Sequence, residues 1–224
     1  MTILILHGWG QGKTVWNDFI SRFEGVSVIA LDLPGFGDEP LVSNEWGVPE
    51  YADWVESKIS EMKLNDVILL GHSFGGRISS YLASKRPAWL KALILTGSPS
   101  IYRPSLSTKF KIKKYKILKW VSKRLKAHSP RLTADLGDAD KKGLGKIFRK
   151  VVPFDQTEEL GRIDVPTLLL WGENDEPVPL RIAHEINQLV AGSQLEIINN
   201  AGHQVVQESP FLSYGIIKKF IETL

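Results

Sequence analysis

The segment Gly71-His72-Ser73-Phe74-Gly75-Gly76 carries the spacing G-x-S-x-G between an apolar run, Val67–Leu70, and a helically patterned stretch, Phe74–Lys85. In a strand–turn–helix setting this spacing forces the serine into a tight bend where its hydroxyl stands clear of the backbone. Glycine suits positions 71 and 75 because side chains there would obstruct the approach of strand to helix. The helix N-terminus adds N–H groups and a positive dipole beside Ser73. The chemistry such a residue offers is nucleophilic attack. The plain alternative is a glycine-rich turn in which Ser73 merely caps a helix.

A serine hydroxyl is a weak nucleophile without a base, and the base needs an orienting acid. Of the five histidines, His203 stands in Asn199-Asn200-Ala201-Gly202-His203, directly after the last apolar run. His184 falls in the middle of a helical stretch and His128 in a basic segment close to Pro130, positions that suit surface residues. His72 adjoins Ser73, but neighbouring side chains on such a turn point different ways. The acid is Asp175, in Trp171-Gly172-Glu173-Asn174-Asp175-Glu176-Pro177, with Glu173 and Glu176 as competitors. An acid in this position is often only a helix cap. Asp175 is favoured by order: serine, acid and histidine each follow a different predicted strand, at the sheet edge where sites form.

Acyl transfer also needs donors aimed at the developing oxyanion. The backbone N–H of Phe74 is one candidate. The second is that of Trp9, in His7-Gly8-Trp9-Gly10 at the end of the first apolar run. Gly10-Gln11-Gly12-Lys13-Thr14 lacks the spacing of a phosphate-binding loop, since the residue five before Gly12 is His7. Asp32-Leu33-Pro34-Gly35-Phe36-Gly37 reads as a structural loop in which Asp32 caps or pairs locally.

Six short runs can position these residues: Ile3–Leu6, Val26–Leu31, Val67–Leu70, Ala92–Leu95, Thr167–Trp171 and Leu195–Ile198. Their Val, Ile and Leu content without polar alternation predicts strands buried on both faces, as in a parallel sheet. Helical patterning lies between them. Pro49–Met62 keeps Tyr51, Trp54, Val55, Ile59 and Met62 on one face. Leu180–Val190 ends near Gly192, and Phe211–Leu224 closes the chain. The expectation is an α/β fold, residues 1–100 and 162–224 forming the core and 101–161 a helical cap insertion.

The 224 residues contain no cysteine, which excludes disulfides, thiol nucleophiles and thiolate metal sites. No apolar run reaches the roughly 18 residues of a membrane span, and no signal peptide is evident; a cytoplasmic protein is expected. The net charge of +3 conceals a segregation. Residues 103–150 hold 16 basic and three acidic residues, a balance of +13, whereas the rest holds 12 basic and 22 acidic, or −10. From Leu106 to Leu125 the positions Leu106, Phe110, Ile117, Val121 and Leu125 recur at helical spacing, with lysines covering much of the remaining surface. The plain reading is a solvated face whose apolar stripe packs on the core. Against it stands a positive field that suits a small ester that is anionic or carrier-bound, with contact with an anionic membrane surface as the weaker alternative. No nucleic-acid recognition module is present.

Together, His7-Gly8-Trp9-Gly10, Asp32 to Gly37, Gly71 to Gly76, Gly172-x-x-Asp175 and Ala201-Gly202-His203 resemble the α/β-hydrolase superfamily over nearly the whole chain. Within it, the first two segments are most similar to the carboxylesterases near the pimeloyl-acyl-carrier-protein methyl ester esterase. The resemblance implies Ser73 as nucleophile, His203 as base, Asp175 as its orienter, the Trp9 and Phe74 amides as the oxyanion hole, and no cofactor. It also implies that the insertion covers the site. The chain opens on the strand before His7, without the leading antiparallel strands usual in the family, so a sheet of about six strands is expected.

Overall fold

The structure, a computed structural model, describes residues 1–103, 139–140 and 143–224. All six expected strands form: β1 (Thr2–Leu6), β2 (Ser27–Leu31), β3 (Val67–His72), β4 (Leu90–Thr96), β5 (Thr167–Gly172) and β6 (Gln194–Ile198). They build one sheet in the order β2-β1-β3-β4-β5-β6, every neighbouring pair parallel. Because successive side chains leave a strand on opposite faces, each run feeds two cores. Leu4, Leu6, Leu69, Leu93, Leu95, Leu169 and Trp171 pack on one side, and Ile3, Ile5, Ile68, Leu70, Ile94, Leu168 and Leu170 on the other. The lack of polar alternation follows from that double burial in the four inner strands. The expectation of burial on both faces fails at the edges, where β2 is only partly covered and Glu196 and Ile197 of β6 are exposed, because an edge strand has a neighbour on one side only.

The expected helices appear as α2 (Val48–Glu61), α3 (Phe74–Ser84), α6 (Leu180–Leu189) and α8 (Pro210–Ile221). Helices α2, α3 and α6 supply the first core and α8 the second. The start of α2 is fixed by Pro49 in its first turn and by Glu50, whose carboxylate accepts the Gly47 N–H at 2.7 Å. Two short helices lacked a readable period: α1 (Asn17–Ile20), entered through a 3₁₀ turn at Lys13–Trp16, and α7 (Val205–Glu208). Both bury apolar residues, Trp16 and Phe19 or Val205 and Val206, in the second core.

Between β4 and β5 the described residues include α4 (Gly145–Val151) and α5 (Thr157–Leu160). The Leu106–Leu125 amphipathic stretch and His128 lie outside the described residues. Four basic residues of the segment that are described each meet a carboxylate: Arg103 meets Asp155 and Glu185, Lys146 and Lys150 meet Glu45, and Arg149 meets Asp140. Among the described residues no helix is long and apolar enough to cross a membrane.

Strand order decides where a site can form. β1 lies between β2 and β3, so the connections leaving β1 and β3 diverge at the carboxyl edge and open a crevice there. His7 to Gly10 and Ser73 occupy those two connections.

Candidate active site

Ser73 is the residue between β3 and α3, with φ 51° and ψ −110°. A non-glycine residue in this region is strained by about 1–3 kcal/mol and persists only where its surroundings over-determine it. Here they do. The Ser73 N–H donates to the Thr96 carbonyl of β4 at 2.9 Å, and the Gly75 N–H donates to the His7 carbonyl after β1 at 3.0 Å. The bend is therefore fastened to both neighbouring strands. The glycines allow the approach: a Cβ on Gly75 would stand 2.1 Å from the Leu6 carbonyl oxygen, and one on Gly71 2.6 Å from that of Gly75. The capping alternative does not hold, since Ser73 makes no side-chain cap bond to α3.

The Ser73 hydroxyl instead meets His203 Nε2 at 3.1 Å, and His203 Nδ1 meets Asp175 Oδ2 at 2.9 Å. A carboxylate at Nδ1 fixes the proton there and leaves Nε2 as an acceptor for the serine proton. The Asp175 side chain is fully buried, and its second oxygen accepts the Val178 N–H at 2.8 Å. The competing acids go elsewhere. Glu173 accepts the Asn200 N–H at 3.1 Å, and Glu176 is exposed. His184 is exposed on α6.

Trp9 and Phe74 lie side by side, their rings edge-to-face at 5.3 Å. Neither N–H has a hydrogen-bond partner among the described residues. The loop around Trp9 is held without them, by the Gly8 N–H on Gln11 Oε1 at 2.9 Å and the Gln11 N–H on the Gly8 carbonyl. The Trp9 ring also packs against Phe36 and, from α4, Phe148. Tyr51 of α2 touches the Phe74 ring and donates its hydroxyl to the Pro34 carbonyl, which steadies the 32–37 loop beside it. Asp32 accepts the Asp38 N–H within its own loop as expected, and in addition reaches the loop after β1, accepting the Lys13 N–H and pairing with the Lys13 ammonium.

Three neighbours received no role of their own from the sequence. Gly97, at φ +52°, leaves the space that His203 and Asp175 fill; a Cβ there would lie 2.9 Å from the imidazole. Its signal was its place at the end of β4, on the same sheet edge. The His72 ring sits 5.0 Å from that of His203. Burial, reinforced by the charge His203 can carry, pushes His72 down to about 3. The buried His7 is also lowered, again chiefly by burial. Its Nε2 accepts the Leu33 N–H at 3.0 Å, so the proton on Nδ1 donates to the Gly8 carbonyl at 2.7 Å. A neutral ring thus ties the loop after β1 to the loop after β2.

Comparison with known proteins agrees with this architecture. Residues 3–213 match the family described as Alpha/beta hydrolase family. A pimeloyl-[acyl-carrier protein] methyl ester esterase of Neisseria meningitidis is 27% identical over 95% of this chain and 88% of its own. A 2-hydroxy-6-oxononadienedioate/2-hydroxy-6-oxononatrienedioate hydrolase of Cupriavidus pinatubonensis is 27% identical over 90% of this chain and 80% of its own. Among solved structures, a thermophilic esterase from Thermogutta terrifontis superposes with a TM-score of 0.79 at 21% identity, covering 100% of this chain and 90% of that one.

Proposed function

This chain belongs to the alpha/beta hydrolase family, and on that premise we propose that it cleaves carboxylic esters through an acyl-enzyme on Ser73. The observation that carries the reading is the continuous hydrogen-bond chain from Asp175 through His203 to Ser73, at 2.9 and 3.1 Å. In the first half-reaction Ser73 Oγ attacks the ester carbonyl carbon while His203 Nε2 takes its proton. The tetrahedral oxyanion receives the Trp9 and Phe74 N–H groups, which need no reorganisation because no protein acceptor among the described residues competes for them. Collapse breaks the bond to the alkoxide, and His203 returns its proton to that oxygen, releasing the alcohol. Water then attacks the acyl-enzyme with His203 again as base, and the carboxylic acid leaves. Asp175 keeps the imidazole in one tautomer and offsets the imidazolium charge.

In this reading the segment between β4 and β5 reaches the site through Phe148 of α4, which lies against Trp9. Its basic excess favours an ester that is anionic or carried on an acidic protein, in keeping with the carrier-bound ester named for the Neisseria relative. A second reading, hydrolysis of a carbon–carbon bond by the same residues, is favoured by the Cupriavidus relative.

A panel of p-nitrophenyl esters, with Ser73→Ala and Asp175→Asn, tests the proposal. Ser73→Ala is expected to lose on the order of 10⁶ in kcat, as removal of such a nucleophile does elsewhere. Asp175→Asn folds and loses about 10⁴, because a neutral amide supports the wrong tautomer. An alkyl phosphonate labels wild-type Ser73. Ser73→Ala activity within tenfold of wild type ends the reading. Feeble ester turnover beside rapid, Ser73-dependent cleavage of a 2-hydroxy-6-oxo dicarboxylate selects the second.

A further inference from the structure

His203 belongs to a stretch with neither helix nor strand geometry, between β6 and α7, yet its Nε2 must be held on Ser73 to within fractions of an ångström. The side of the loop facing β5 is tied by three bonds. The Glu173 N–H donates to the Ile198 carbonyl and the Asn174 N–H to the Ala201 carbonyl, at 3.0 and 2.8 Å. The Asn200 N–H donates to the Glu173 carboxylate. All three fall before His203. The N–H groups of the two residues next to it converge on a single carboxylate: the Gly202 N–H donates to Glu208 Oε2 at 2.5 Å and the Gln204 N–H to Glu208 Oε1 at 3.1 Å.

We propose that Glu208 is the positioning residue for the base, its two carboxylate oxygens straddling His203 and holding the Ala201–Gly202 peptide before it and the His203–Gln204 peptide after it. This rests on the reading of His203 as the base of Ser73. With the backbone held at the peptide after His203 and at the one before Gly202, Glu208 restricts the path of the chain through His203 and with it the direction of the Cα–Cβ bond, while Asp175 holds the ring. Glu208 is exposed and sits at the end of the four-residue α7. Its own N–H donates to the Gln204 carbonyl at 2.8 Å, so the same residue closes the turn that begins at the base.

The experiment measures kcat, KM and melting temperature on p-nitrophenyl butyrate for Glu208→Ala, Glu208→Gln, Ser213→Ala and His203→Ala. Ser213→Ala is the control. Its hydroxyl donates to the Val205 carbonyl at 3.2 Å, so its removal loosens α7 without touching the Gly202 or Gln204 N–H. Glu208→Ala is expected to lower kcat about 10- to 100-fold at unchanged KM, the cost of a misplaced catalytic group. Glu208→Gln retains one acceptor oxygen and falls between Glu208→Ala and wild type. Ser213→Ala lowers the melting temperature and leaves kcat unaltered. If Glu208→Ala does not fold, Glu208→Gln decides. The proposal is overturned if the folded Glu208 variants keep wild-type kcat, or if they behave as Ser213→Ala does. Near-normal activity in His203→Ala would instead overturn the assignment of the base. A dead His203→Ala beside fully active Glu208 variants removes the positioning role alone.

Discussion

Gly97 shows how one missing side chain can matter as much as a functional group. It is the first residue beyond β4, in the left-handed region at φ +52°, and the atoms nearest to where its Cβ would stand belong to His203 and Asp175. Gly97→Ala therefore brings two costs, backbone strain of about 1–2 kcal/mol and a contact that pushes the imidazole away from Ser73. The expected result is a folded protein with kcat lowered by about 100-fold, the effect of a displacement near 1 Å. Ester turnover measured beside circular dichroism checks it. A Gly97→Ala protein as active as wild type would mean that His203 has slack the packing does not suggest.

At the scale of elements, α3 both follows directly on Ser73 and anchors the end of the insertion. Arg77, one turn after Ser73 and only 4% exposed, donates to the Val152 carbonyl at 3.0 Å and to that of Phe154. Gln156 returns the contact, its Nε2 donating to the Arg77 carbonyl at 2.9 Å. Burial lowers Arg77 to about 10, with the Asp155 charge opposing it, so the side chain still carries its proton at neutral pH. Replacing it by methionine fills much of the volume but leaves two carbonyls without their donor. A loss of about 2–4 kcal/mol is expected, or roughly 5–15 °C in melting temperature for a chain of this size. Faster proteolysis at the 152–156 segment should accompany it. An unchanged melting curve for Arg77→Met would show that those carbonyls find other donors.

For the whole molecule, the two buried imidazoles set a pH limit. His7 and His72 are both held below their ordinary value of 6.5, His72 at about 3, principally by burial. In the unfolded chain each takes up a proton near 6.5, whereas the folded state resists it. The unfolded state therefore binds more protons below that pH, and stability falls as the pH drops from about 6.5 toward 3. Asp32 and Asp155 act in a lower window. Burial pushes each up, but hydrogen bonds outweigh it, from the Asp38 and Lys13 amides in one case and from Thr157 in the other. Both end below 3.8, so their share of the stability is lost only as the pH falls below about 4. Urea midpoints from pH 7.5 to 4.5 should decline steadily in wild type and less steeply in His72→Gln. Equal slopes in the two proteins would remove His72 from this account.

Much of this protein was written in local chemistry. Six apolar runs with little alternation specify a two-sided parallel sheet because both faces of its inner strands must be covered. G-x-S-x-G after one of them specifies the bend at Ser73, because only glycines permit the Leu6 and Gly75 backbones to come so close. The order of Ser73, Asp175 and His203 at three strand ends was legible for the same reason: in a parallel sheet every strand ends on one edge. What the sequence left open was every choice made by distance across the fold. Glu173, Asp175 and Glu176 are three acids in four positions. Only the packing of β5 against β6 turns Asp175 inward to His203 and sends Glu173 to the Asn200 amide. Gly97, Arg77 and Glu208 bear no local mark either. The first is defined by the atoms that fill its empty side, the second by carbonyls 75 and 77 residues away, and the third by two amides of a loop whose path the sheet sets. Hydrophobic period and turn chemistry act over a few residues and can be read in order along the chain. The geometry around His203 depends on contacts between strands far apart in sequence, which exist only once the sheet has closed.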